Sequence, residues 1–432
     1  MLYLSPQIGL TKMANTYSKV AEMMTSDGVP LKTSLQRSQR KLKLWAFLLV
    51  APLLLFIVVS FILPVVSMTM RGVENPQVAE IMPNVVKELQ SWDGSELPNE
   101  AAFAALVKDL TLGRENKNIG KVATRLNYEK SGMRRVISGS ARKASKLTEG
   151  PYKPEMLKIN KAWGDVAVWA LIKRESGPYT NSYLVSAVDY EITDQGEIVA
   201  KEDNKRIYKS LFGRTLVMSF TITIICIILA FPIAYLLATL PLAKSNLLMI
   251  LVLLPFWTSL LVRTTTWIVL LQTQGVVNDI LVWMNIIDET GRLQMIFNKT
   301  GTIIAMTHIL LPFMVLPLYS VMKTIPPYYM RAALSLGANP LVSFIRVYVP
   351  MTVTGIGAGS LLVFILSIGY YITPALVGGQ SGLLISNMIA YHMQNSLNWG
   401  LAGALGFILL VIVLLFYAVF NKVIGIDKVK MG

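Results

Sequence analysis

Six stretches of this chain are apolar over a length that can cross a bilayer, and no other feature limits the fold as severely. They run from Leu44 to Met68, Leu211 to Leu240, Leu247 to Leu271, Gly301 to Met322, Met351 to Ala375 and Leu401 to Phe420. About 30 Å of hydrocarbon, at about 1.5 Å of rise per residue, requires roughly 20 apolar residues. Hydrocarbon offers the backbone no hydrogen-bond partner, so these stretches have to be helices. The expectation is an all-α polytopic membrane protein with six transmembrane helices. Composition agrees, since 53% hydrophobic residues, 15% charged residues and a mean hydropathy of +0.53 lie outside the range of soluble domains.

Charge then orients the spans. Arg37, Arg40, Lys41 and Lys43 precede the first one, with Trp45 at the interface, and this predicts a cytoplasmic N-terminus. Counting crossings puts Lys244 inside, Asp279 to Asn298 outside, and Lys323, Arg331 and Arg346 inside, together with a tail carrying Lys422, Lys428 and Lys430. The resulting divisions are an N-terminal segment 1–43, a first helix 44–68, an external insertion 69–210, a helical core 211–424 and a tail 425–432. About forty polar residues precede the first apolar run, which argues for an uncleaved first span over a signal peptide. Residues 1 to 43, with Lys12, Lys19 and Lys32, suit either a helix lying on the inner surface or a disordered arm. The net charge of +15 is spread through polar segments without a basic helix or an aromatic stacking module, so loop topology explains it and nucleic acid does not. The single cysteine, Cys226, excludes an internal disulfide and any Cys/His metal spacing.

The insertion is long enough for a small domain. Val78 to Leu89 and Ala101 to Leu112 read as helices, and Tyr183 to Ile198, around Asp194-Gln195-Gly196, reads as a hairpin. Lys117 to Lys146 is rich in Lys, Arg, Ser and Gly, which predicts loose order or support from a neighbour. Contact with a soluble partner and passive bracing of the external face both suit such an insertion.

Between the fourth and fifth apolar stretches lies Ile325 to Pro350, IPPYYMRAALSLGANPLVSFIRVYVP. Pro326 and Pro327 can open a helix but not continue one, Tyr328 to Leu336 read as that helix, and Gly337 stops it. Asn339 and Pro340 supply an N-cap and a first-turn proline for a second helix, with Leu341, Phe344, Ile345 and Tyr348 at helical spacing up to Pro350. This elbow is too polar and too broken to span a membrane, and it suits docking to a soluble partner.

The elbow resembles the EAA loop of permease subunits in binding-protein-dependent ATP-binding-cassette (ABC) importers. Ala332 and Ala333 match the alanine pair, Gly337 the glycine and Pro350 the closing proline, while Arg331 stands where the family usually has Glu. Small residues allow close approach, and glycine tolerates positive φ. The string LLPFWTSLLVRTTTW, the string from Tyr370 to Gly379, and Asn395 to Trp399 are similar to the spermidine/putrescine permease subgroup over roughly Phe212 to Phe420. The long insertion is a departure from it. The resemblance implies a type I importer permease fold with a large external α+β insertion between helices 1 and 2, in the bacterial inner membrane. It further implies a second homologous permease, an ABC ATPase dimer that carries ATP and Mg, and a periplasmic solute-binding protein; this chain itself would bind no cofactor. Tyr329, Arg331, Ala332, Ala333, Gly337, Ala338 and Pro350 would then couple to the ATPase.

Candidate pathway residues are Arg263, Tyr370, Tyr371, Thr373, Pro374, Gly378 and Gly379. An arginine in hydrocarbon costs about 2.5–3.5 kcal/mol on insertion scales, so Arg263 either lines a path or snorkels to the interface. Thr373, Pro374, Gly378 and Gly379 break the fifth helix, and broken backbone is tolerated where it lines a cavity or is buried in protein. Tyr370 and Tyr371 could offer ring faces to a cationic amine, or anchor the interface as tyrosines commonly do. His308 and His392 suit packing better than ligation.

No span contains Asp or Glu, and the chain lacks a phosphate-binding G-x-x-x-x-G-K-[ST] loop. A proton- or sodium-driven transporter usually needs an ionisable site near the midplane, so energy has to come from another polypeptide. The same absence leaves a polycation without a carboxylate to hold it, which points to a weak pathway fed by a binding protein. The alternative class is a non-transporting scaffold or sensor. A hydrolytic or redox enzyme is the least expected class, since no Ser/His/Asp or Cys/His set is suggested by two histidines and one cysteine all in or beside spans.

Overall fold

The structure, a computed structural model, describes residues 31–424. The expectations for residues 1–30 and for the tail 425–432 fall outside the described residues. Residues up to Ser67 form one unit and those from Met68 onward another. The first unit is helical: α1 (Leu31–Ile57) continues through a π turn, Val58–Ile62, into α2 (Leu63–Met70), which ends just inside the second unit. Nearly all its apolar side chains from Leu42 to Val66 are exposed, as expected of a helix whose solvent is lipid.

Within the second unit the insertion is a helical bundle with its own core. It comprises α3 (Pro76–Ile81), α4 (Pro83–Gln90), α5 (Glu100–Glu115), α6 (Ile119–Glu129), α7 (Met133–Ala144), α8 (Tyr152–Ile159), α9 (Val166–Arg174) and α10 (Ser182–Ala187), followed by strands β1 (Tyr190–Ile192) and β2 (Ile198–Ala200). Helices expected over 78–89 and 101–112 are present, the first split in two where Pro83 begins a new helix. The loose order expected for 117–146 is not found. That segment forms α6 and α7, with Met133, Ile137, Ala141 and Ala144 buried on one face and Arg134, Arg135, Arg142 and Lys143 exposed on the other. Small buried residues let α7 pack closely, so a stripe short of large apolar groups still makes a core. The hairpin is shorter than expected, because 182–187 is helical and only Tyr190–Ile192 pairs antiparallel with Ile198–Ala200 around Gly196.

Aromatic packing and one ionic cluster hold the bundle. The rings of Phe103 and Trp169 lie 4.7 Å apart and those of Trp163 and Trp169 5.5 Å apart, and both indole N–H groups are satisfied, by Ser140 and by the Trp163 carbonyl. Beside them the Arg125 guanidinium, 2% exposed, donates to Glu129 at 2.6 Å, Glu175 at 2.5 Å and Asn75 Oδ1 at 2.7 Å. It also stacks on the Tyr183 ring, whose hydroxyl burial pushes up to about 12 and so keeps neutral.

The core helices are α11 (Tyr208–Thr239), α12 (Leu242–Trp257), α13 (Leu260–Leu271), α14 (Val276–Trp283), α15 (Lys299–Thr324), α16 (Tyr328–Ser335), α17 (Pro340–Ser343), α18 (Val349–Met351), α19 (Val353–Gly369), α20 (Ile372–Val377), α21 (Gly379–Gly382), α22 (Ile385–Gln394) and α23 (Trp399–Ile424). Residues 39–70, α11, α15 and α23 are each long and apolar enough to cross a membrane. Two further pairs pass only as bent units, Leu242–Trp257 with Leu260–Trp283 at 98° and Pro340–Met351 with Val353–Gly369 at 58°. The third stretch, expected as one span over Leu247–Leu271, is therefore broken at Thr258 and Ser259, just after Pro255 removes a backbone donor from the last turn of α12.

The seam between α11 and α15 is set by four-residue spacing. Met218, Ile222, Cys226, Ala230 and Ala234 on one helix face Met306, Leu310, Met314, Leu318 and Met322 on the other, ridge against groove. Helix α19 closes on the same seam through glycines, for a Cβ on Gly359 would stand 2.6 Å from the Met314 sulfur and one on Gly355 3.0 Å from Val321. The insertion is fastened to this core at both ends. Asp189, fully buried, accepts from the amides of Ile207 and Tyr208 at 3.0 Å and of Lys209 at 2.7 Å, which takes up orphan donors at the start of α11. Tyr128 donates to the Ser396 carbonyl, and Tyr183 packs where a Cβ on Gly400 would come within 2.3 Å.

Glu175→Ala leaves Arg125 buried with half its compensation and should cost roughly 3–5 kcal/mol. Thermal unfolding of the full chain in detergent checks this; a melting temperature equal to that of the parent would mean that the cluster is not holding the bundle.

Candidate functional site

The elbow is built as a stop and a restart. Helix α16 ends in a Schellman arrangement: Gly337, at φ +86°, donates to the Leu334 carbonyl at 3.0 Å and Ala338 to the Ala333 carbonyl at 3.1 Å. Only glycine takes that φ without strain. Asn339 then accepts from the Val342 amide at 2.7 Å and opens α17, with Pro340 at its first position. The chain does not stop at Pro350 as expected. It stays helical through a π turn, Phe344–Tyr348, into α18, because the Val349 amide reaches back to Phe344 and the wider turn accommodates a residue that has no N–H.

One face of the elbow is anchored and the other is free. Phe344 meets Phe231 edge-on at 6.0 Å and Tyr235 at 5.4 Å, while Tyr348 lies 5.3 Å from Tyr235 and stacks on Phe344 at 5.4 Å. Met330 packs into the same core cluster. Facing away, Leu336 is 89% exposed and Leu341 67% exposed, next to Leu334 and Ile345. Arg331, Ala332, Gly337 and Pro350 are exposed, Ala333 and Ala338 half-buried, and Tyr329 exposed with its ring 4.4 Å from that of Tyr328. The structure thus brings the residues singled out in the sequence onto one elbow and adds Phe231 and Tyr235, on α11, as its anchor. Nothing in the local sequence links those two to the elbow.

The pathway candidates divide. Arg263 donates to the Thr258 carbonyl at 3.1 Å, so its side chain takes up an acceptor released where the third span breaks, and it has no carboxylate partner among the described residues. Trp267 donates to His308 at 3.2 Å, and His392 joins Tyr208 at 2.9 Å to Ser396 at 2.8 Å, so both histidines are packed hydrogen-bonded groups. At the break in the fifth stretch the Tyr370 carbonyl accepts from Ser386 at 2.6 Å and the Tyr371 carbonyl from Asn387 at 2.7 Å. Thr373 and Pro374 are buried, Thr373 with its hydroxyl 3.5 Å from that of Thr264. Gly378 and Gly379 serve close packing: a Cβ on Gly379 would come 2.3 Å from the Phe297 carbonyl, and one on Gly378 2.6 Å from Thr302. Tyr371 opens onto a surface cavity of about 560 Å³ that includes Asn387, Tyr391 and Gln394.

No protein-family model matches the chain. Among curated proteins, the spermidine/putrescine transport system permease protein PotB of Escherichia coli is 37% identical over 198 residues, 46% of this chain and 71% of the relative. The chain belongs to the ABC transporter permease family. PotB of Haemophilus influenzae is 36% identical over 222 residues, covering 51% of this chain and 77% of that protein. The inner membrane ABC transporter permease protein YdcU of Escherichia coli is 32% identical over 225 residues, 50% and 71% of the two. A bacterial ABC transporter involved in the import of alginate aligns with 50% of this chain and 79% of its own at 19% identity and a TM-score of 0.41. This permease is a transport subunit, not an enzyme.

Phe344→Ala should loosen the elbow without unfolding the helices around it. Removing the aromatic contacts is expected to speed amide exchange over 328–348 roughly tenfold, equivalent to about 1.4 kcal/mol. Unchanged exchange there would show that the anchor lies elsewhere.

Proposed function

We propose that this chain is one permease subunit of an ABC importer for polyamines such as spermidine or putrescine, the solutes in the names of its PotB relatives. A second, homologous permease completes the pathway, an ATPase dimer holding ATP and Mg supplies the energy, and a periplasmic binding protein delivers the solute. The N- and C-termini and the elbow face the cytoplasm, α12 with α13 makes the third of six spans and α19 the fifth, and the insertion lies outside.

The observation that carries this reading is the two-faced elbow. Leu336 and Leu341 present apolar surface that a partner groove would cover, while Phe344 and Tyr348 tie the opposite face to α11. ATPase closure would push the exposed face and move the span through the aromatic anchor. Arg331, in place of the family's usual Glu, asks for an acidic residue on the ATPase. No Asp or Glu lies in the spans, so the solute is passed along instead of being held; Arg263 and the breaks at Thr258 and Tyr370 make up the gate. Tight binding inside would slow release.

Gly337→Val meets no steric clash, and its cost comes from placing a β-branched residue at φ +86°, roughly 1–2 kcal/mol. Expressed with its partners, that variant should reach the membrane in normal amount and lose uptake of radiolabelled putrescine; undiminished uptake refutes the coupling role. Arg331→Cys should react with an impermeant maleimide only in inverted vesicles, and reaction in intact cells would reverse the proposed orientation. Purification in mild detergent should bring an ATPase with the permease, whereas a scaffold or sensor would come alone.

A further inference from the structure

Where the insertion meets the turn before α23 there is a cavity of about 330 Å³, and its chemistry differs from that of the pathway. Three cations line it, Arg71, Lys121 and Arg125, and none of its twelve lining residues is acidic. The Arg125 charge is already taken up by Glu129 and Glu175. Arg71 and Lys121 have no carboxylate partner among the described residues, and both are exposed. Arg71 is held in place by the ring of Trp399, 5.4 Å below its guanidinium carbon. Gln77 lines the cavity as well, and its side-chain oxygen is buried without a hydrogen-bond partner.

The level of this cavity follows from the span ends. Arg71 comes directly after the apolar run that closes at Met70, and Trp399 is the first residue of the run Trp399–Lys422. The two ends lie side by side, since a Cβ on Gly72 would meet the Ala404 nitrogen at 2.8 Å and one on Gly403 the Met68 oxygen at 2.5 Å. Uncompensated cations and an interfacial tryptophan therefore converge where apolar chain gives way to polar chain, the depth at which phosphate groups of lipids lie.

We propose that the cavity formed by Arg71, Lys121, Gln77 and Trp399 binds a phosphate ester. The guanidinium offers two parallel N–H donors to the phosphate oxygens, and Lys121 adds a point charge. Either an anionic lipid headgroup of the phosphatidylglycerol kind or a soluble phosphate ester satisfies that chemistry. Occupancy would clamp the insertion to the start of α23, across the seam already made by Tyr128 and Ser396.

The full chain in nanodiscs separates the sources. In phosphatidylcholine discs doped with phosphatidylglycerol, native mass spectrometry should find phosphatidylglycerol retained by the parent chain. Arg71→Gln or Lys121→Gln should weaken that retention roughly tenfold, the loss of one charge-assisted contact. Lys146→Gln, an exposed cation away from the cavity, should change nothing. In the second arm, glycerol 3-phosphate is titrated onto the chain in phosphatidylcholine discs; saturation with the same dependence on Arg71 and Lys121 assigns the site to a soluble ester. If neither ligand is held, or if the Lys146 variant loses as much as the other two, the proposal is overturned.

Discussion

A backbone carbonyl inside hydrocarbon must find a donor in the protein, and the breaks in this permease are arranged around that requirement. Where the third stretch bends, Arg263 donates to the Thr258 carbonyl; where the fifth stops, Ser386 and Asn387 donate to Tyr370 and Tyr371. Each break is thus matched to a polar side chain brought from another turn or helix. The positions of bends follow from which side chains can reach them, and the ends of the bent spans inherit that geometry.

Close approach does the complementary work in the unbroken parts. Gly355 and Gly359 let α19 lie against methionines of α15, and Gly72, Gly400 and Gly403 let the start of α23 lie against chain from the insertion. Without a hydrophobic driving force between helices in lipid, association depends on such van der Waals contact. The insertion is fastened by Asp189 at the start of α11 and by Tyr183 and Tyr128 at the start of α23, so it belongs to the same compact unit as the core. The elbow and the insertion thus both contact α11, the first through Phe231 and Tyr235 and the second through Asp189.

Much of this was legible from residue order. Length and apolarity located four of the membrane-crossing candidates within a few residues and the other two only as bent pairs, and the proline, glycine and asparagine signals of the elbow appear in the structure as a helix start, a left-handed stop and an N-cap. Of the two outcomes expected for the basic stretch 117–146, support from neighbours is the one the fold shows, since Ile119, Val122, Leu126, Met133 and Ile137 are buried in the insertion's core while the basic side chains face outward. The Gly355-x-x-x-Gly359 packing face and the roles of Asp189, Phe231 and Tyr235 were not legible, since their partners lie 18 or more residues away in the chain.

Local chemistry alone therefore determined which segments are helical, where proline and glycine interrupt them and which stretches seek lipid, because propensity and hydration act on neighbouring residues. Only the tertiary structure decided which face of the elbow is anchored, which side chains take up the released carbonyls, and that Arg71 and Lys121 share a cavity. Those outcomes depend on pairs far apart in sequence, and a hydrogen bond or ion pair exists only when folding brings both partners within about 3 Å.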